Sequence, residues 1–115
     1  MIIKNYKTKN GRDYSIVADG WSNSRSWGHI ATLVINNMLE VEEVKIRYYN
    51  RTWEVYQFQS VMQSVMSKYI NKISIEAIKD YKTKHNIKRM SKDAKEDVIL
   101  KDDEVQELMK IYKTL

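Results

Sequence analysis

The chain changes its grammar near residue 50, and that change restricts the fold more than any other feature. All three glycines, Gly11, Gly20 and Gly28, lie in the first part, and proline is absent throughout. Up to about residue 50 apolar and polar residues alternate; from about residue 52 onward apolar residues recur at spacings of 3 and 4. Alternation suits a strand with one dry face, and the longer spacing suits a helix with one dry stripe. A sheet with a bare face and a helix with a bare stripe bury each other, so the expected fold is α+β. It comprises a three- or four-stranded antiparallel sheet, packed by a long helix, then two or three further helices. A chain of 115 residues and 13.7 kDa has room for one domain, here 1–115, with 1–50 as the sheet and 51–115 as the helical part.

The details follow from local signals. Ile2 to Thr8 and Asp13 to Ala18 flank Lys9-Asn10-Gly11-Arg12, and an Asn-Gly pair between strand-like runs predicts a type I′ hairpin. Asp19 to Gly28 reads as a polar loop holding two tryptophans. A third strand, His29 to Asn36, turns at Asn36-Asn37 into a fourth, Val41 to Tyr49, where Val44, Ile46 and Tyr48 alternate with Lys45, Arg47 and Tyr49. Asn50 or Thr52 caps the helix, whose stripe is Val55, Phe58, Met62, Val65, Tyr69 and Ile73. Ser74 starts a second helix, or the first runs on through Ile75, Ile78 and Tyr81 to a stop at His85-Asn86, where Asn suits the left-handed C-terminal conformation. Ser91 opens a short helical piece, and Asp103 with Gln106 forms a capping box for a last helix.

Composition excludes several classes of function. With no cysteine there is no disulfide, thiol catalysis or thiolate metal site. No apolar run approaches the roughly 20 residues of a membrane span, and Met1-Ile2-Ile3-Lys4-Asn5 lacks the layout of a secretion signal. The expected location is therefore the cytoplasm, without membrane contact. Two histidines, His29 and His85, have no spacing that suggests a shared metal, and isolated glycines build no phosphate loop. Asp93, Glu96, Asp97, Asp102, Asp103, Glu104 and Glu107 form one acidic run, which reads as a solvated helix face with favourable helix-dipole pairing. The expectation is a binding protein, not an enzyme, with no cofactor and no metal.

Three regions carry candidate contacts. Trp21, Arg25 and Trp27 share one short excursion, and Trp with Arg dominates the energetic centres of protein interfaces. The competing role for these indoles is to plug the open end of a small core. Tyr48-Tyr49-Asn50-Arg51-Thr52-Trp53 is the densest aromatic cluster; alternation sends Tyr48 and Tyr49 to opposite faces, leaving Tyr49 and Arg51 as the contacts and Trp53 against the sheet edge. From Lys68 to Lys92 eight basic residues, among them Lys82, Lys84, Lys88 and Arg89, face only Glu76 and Asp80, a segment of +6. From Asp93 to Glu107 seven acids face two lysines, a segment of −5. The basic run can neutralise phosphates, meet an acidic protein, or simply be solvated. Met62, Met66, Met90 and Met109 could form a pliable surface, but apolar stripes account better for them.

The stretch Asp19-Gly-Trp-Ser-Asn-Ser-Arg-Ser-Trp-Gly-His29, followed by Lys45-Ile-Arg-Tyr-Tyr-Asn-Arg-Thr-Trp-Glu-Val-Tyr-Gln-Phe-Gln-Ser-Val-Met62, resembles small orphan proteins of phages, prophages and plasmids of Gram-positive bacteria. The resemblance covers roughly residues 11 to 66, and the Lys-, Asn-, Ile- and Tyr-rich composition is in keeping with an AT-rich genome. That group includes anti-CRISPR inhibitors of type II CRISPR effector nucleases. The resemblance implies a host CRISPR effector nuclease as protein partner and no catalytic residues. A net charge of +5 suits gripping a nuclease domain better than imitating DNA in a basic channel. The alternative is a phage nucleic-acid-binding accessory protein that uses the Lys68–Lys92 segment.

Overall fold

A computed structural model of the chain describes residues 1–9, 11–22, 27–37, 40–49 and 55–115, of which 21, 22, 27, 48, 49 and 55–57 are described by their backbone. Four strands, β1 (Ile2–Lys7), β2 (Asp13–Ser22), β3 (Trp27–Asn37) and β4 (Glu40–Tyr49), form one antiparallel sheet in sequence order. Helices α1 (Val55–His85), α2 (Lys92–Lys101) and α3 (Asp103–Thr114) follow. The fold is α+β with a four-stranded meander, as the switch in period predicts. The chain forms two compact units, Met1–Ser67 with Leu115, and Lys68–Thr114, so the division falls inside α1.

In the first unit the register fixes which residues share a face. Tyr14 pairs with Ile35, Ile16 with Leu33 and Ala18 with Ala31, and all six are buried. Val61, Met62, Val65 and Met66 of α1 are buried as well, and Phe58 meets the ring of His29 edge-on with centroids 4.6 Å apart. The helix therefore covers the middle strands. On the same face the edge strands are only half-buried, and Lys4 of β1 and Glu42 of β4 occupy inward positions there. Inward charges at sheet margins discourage edge-to-edge association. The stripe read from sequence omits Val61 and Met66, because a helix lying on a sheet buries two adjacent columns of side chains. The end of the chain joins this core: Leu115 is buried, and its carbonyl oxygen accepts from Gln59 Nε2 at 2.7 Å and Gln63 Nε2 at 3.3 Å.

The first hairpin is present with a different loop. Thr8 N donates to the Arg12 carbonyl (3.1 Å) and Gly11 N to the Thr8 carbonyl (3.2 Å). Lys7 pairs with Asp13, so the loop has an odd number of residues, unlike a two-residue type I′ turn. Gly11 takes the positive φ, 82°. The polar loop expected over Asp19–Gly28 is mostly strand, since β2 continues to Ser22 and β3 begins at Trp27.

In the second unit Tyr69, Ile73, Val105, Leu108 and Ile111 are buried, and α2 packs on α3. α1 runs unbroken through Ser74, whose Oγ donates to the Ile70 carbonyl at 2.7 Å and so does not cap a new helix. It stops where expected: Asn86 has φ 52°, Ile87 N donates to the Lys82 carbonyl (2.9 Å) and Asn86 N to that of Thr83 (3.4 Å). That pair of bonds is the Schellman pattern. Ser91 caps α2 by accepting from Ala94 N at 3.2 Å. The cap of α3 is Asp102, one residue earlier than expected; its Oδ1 accepts from Val105 N at 3.0 Å, while Gln106 Nε2 donates to the Ile99 carbonyl. The expected caps Asn50 and Thr52 lie outside the described residues, as does Trp53.

Candidate functional site

The end of the sheet formed by the β2–β3 hairpin gathers three of the aromatic candidates by backbone register. Trp21 pairs with Gly28 and Gly28 with Tyr49, one continuous row, while Trp27 pairs with Ser22 in the next. The last β1 pair on this side is Ile2 with Ala18, so β2 extends past β1 from Asp19 to Ser22. Asp19 secures that extension: its Oδ1 accepts from Gly20 N at 2.9 Å and lies 3.8 Å from the Met1 amino nitrogen. Residues far apart in sequence are thus neighbours because hairpin pairing is long-range, which period-2 patterning alone does not reveal. Arg25 and Arg51 lie outside the described residues.

The face of the sheet away from α1 is less polar than simple alternation suggests. Val17, Ile30, Thr32 and Val34 are half-buried there, and Ile3 and Val41 are 54% and 62% exposed. Polar pairs border them: Ser15 Oγ donates to Asn5 Oδ1 at 2.7 Å, and Lys45 lies 3.7 Å from Glu43. The signal was available in the sequence, because Val17, Ile30 and Val34 have the outward parity of their strands.

In the second unit the basic candidates separate. Lys82 is half-buried and Lys84 exposed in the last turn of α1, while Lys88 and Arg89 are exposed in the connection to α2. Lys84 lines a cleft of about 320 Å³ with Asp80, Tyr81, Asp97, Lys101 and Asp102. The Lys101 Nζ donates to Asp97 Oδ2 at 2.9 Å, and that hydrogen bond, with the charge of Asp97, raises the Lys101 pKa. Tyr81 stacks on His85 with centroids 4.3 Å apart and planes tilted by 40°. The acidic run thus divides between helix capping (Asp102), pairing (Asp97), the exposed positions Asp93, Glu96 and Asp103, and the half-buried Glu104 and Glu107. Among the described residues no group of His, Asp and Glu has the arrangement of a metal site.

The two histidines have distinct settings. His29 is fully buried against Phe58, and desolvation lowers its pKa, favouring the neutral ring. His85 is exposed at the end of α1. Of the methionines, Met62 and Met66 are core, Met90 is half-buried and Met109 is 40% exposed. No helix among the described residues is long and apolar enough to cross a membrane. No protein-family model, curated protein or solved structure matches the chain.

Proposed function

We propose that the chain is a mobile-element-encoded inhibitor of the anti-CRISPR type. It holds a type II CRISPR effector nuclease through protein–protein contacts at the nuclease domain, and it stops DNA cleavage in the host cytoplasm without imitating DNA. The observation that carries this reading is the single row that sets Trp21, Gly28 and Tyr49 side by side at one end of the sheet, with the same parity as Val17, Ile30 and Val34. Tryptophan and tyrosine supply large contact area at small entropic cost and dominate the centres of interfaces. The half-exposed valines and isoleucines of the adjoining face extend that surface with apolar area suited to a protein partner. A net charge of +5 favours contact with protein over occupation of a basic DNA channel, and the resemblance over residues 11 to 66 supplies the identity of the partner.

A nuclease domain is blocked in this reading by occupancy. The inhibitor makes or breaks no bond, so it needs no general base, nucleophile or metal. The test is co-elution of the purified chain with the guide-loaded effector at high salt, where phosphate-driven association is suppressed. A stable complex that weakens at least tenfold on Trp21→Ala with Tyr49→Ala supports the reading. Absence of a complex at micromolar concentrations removes it.

A further inference from the structure

The basic run of the second unit is not one patch. On α1, Lys68, Lys72, Lys79 and Lys82 are separated by four, seven and three residues, spacings that return to the same face of a helix. Lys68, Lys72 and Lys79 are exposed and Lys82 is half-buried. Lys84 belongs to another face, in the cleft with Asp80 and Asp97. We infer that the face of α1 carrying Lys68, Lys72, Lys79 and Lys82 is a binding strip for the phosphate backbone of nucleic acid, engaged without regard to base sequence.

Three observations argue for phosphate over an acidic protein. The strip is lysine alone, and lysine is depleted at protein interfaces while serving phosphate as a compact point charge. It holds no arginine, the residue that reads guanine through paired hydrogen bonds, so it has the means to grip a backbone but not to select bases. Its length fits: residues 68 to 82 of a helix span about 20 Å, along which a duplex presents roughly six phosphates per strand. Ile75, 47% exposed between Lys72 and Lys79, offers an apolar floor to sugar rings. The strip lies in a different unit from the residues of the inhibitor reading, so either assignment can fail alone.

The experiment is fluorescence anisotropy of the full chain with a labelled mixed-sequence duplex of about 20 base pairs, from about 25 to 200 mM salt. The expected affinity falls with salt on a log–log slope of roughly −3 to −4, and Lys72→Gln with Lys79→Gln reduces the slope by about two units. Lys72→Arg with Lys79→Arg retains binding, and Lys84→Gln with Lys101→Gln in the cleft leaves the slope unchanged. Circular dichroism checks that each variant is folded. No binding at the lowest salt, or an equal loss with the cleft variant, overturns the assignment. So does tighter binding of polyglutamate than of the duplex, which would mark the strip as a site for an acidic protein.

Discussion

At Gly11 the backbone adopts φ 82°, and a Cβ added there would meet nothing within 4 Å. The requirement for glycine is therefore conformational and not steric. Gly11→Ala should lower stability by about 1 kcal/mol and Gly11→Asn by less, measured by urea denaturation. His29 makes a second residue-level prediction. Burial lowers its folded pKa below the ordinary 6.5, so the unfolded chain binds the proton first as the medium is acidified. The stability tied to the neutral ring is complete above pH 6.5 and is lost as pH falls below that value, by at most one proton, about 1.4 kcal/mol per pH unit. His29→Leu should flatten that part of the stability profile, followed by chemical denaturation between pH 7.5 and about 5. The sequence marked Gly11 through its Asn-Gly pair. Parity along β3 sets His29 with Ala31, Leu33 and Ile35, but Ile30 and Val34 make the opposite face apolar as well, so alternation alone does not say which face α1 covers.

Elements were legible in proportion to how locally their signals act. Asn86 as the stop of α1 and Ser91 as the cap of α2 were readable, since each bond lies within a few residues of the cap. Asp102 was confused with Asp103 because adjacent aspartates offer the same chemistry, and only the backbone geometry selects one. Ser91→Ala and Asp102→Ala should each cost about 1 kcal/mol, whereas Asp103→Ala should change thermal stability little. The ends of β2 and β3 were missed for the opposite reason. Gly20 and Ser22 are poor strand formers, yet pairing of Gly20 with His29 and Ser22 with Trp27 extends the hairpin past its local preference. Ser74 leaves two readings open because serine serves both as a cap and as a donor to the carbonyl four residues back, and the second, a helix that runs on to His85, is the one observed.

For the molecule as a whole, the switch in period accounts for the order of strands before helices, and the sheet's buried face against α1 follows from it. Leu33, fully buried among these residues, should cost roughly 2–5 kcal/mol on Leu33→Ala, read from denaturant midpoints. The place where the units divide, between Ser67 and Lys68, was not readable, because the apolar stripe of α1 continues without change through Tyr69 and Ile73. Candidate contacts were legible as residue types and not as surfaces: Trp21 and Tyr49 lie nearly 30 positions apart, and strand pairing alone sets both beside Gly28. The same holds for the lysines, which form one segment in sequence and divide by helix face in the structure. Cleavage of target DNA by a purified, guide-loaded type II effector, with the chain added in equimolar amount, puts the inhibitor reading to the most direct trial. The account predicts that cleavage stops and that Trp21→Ala with Tyr49→Ala restores it; cleavage at an undiminished rate with the folded chain in excess would contradict it.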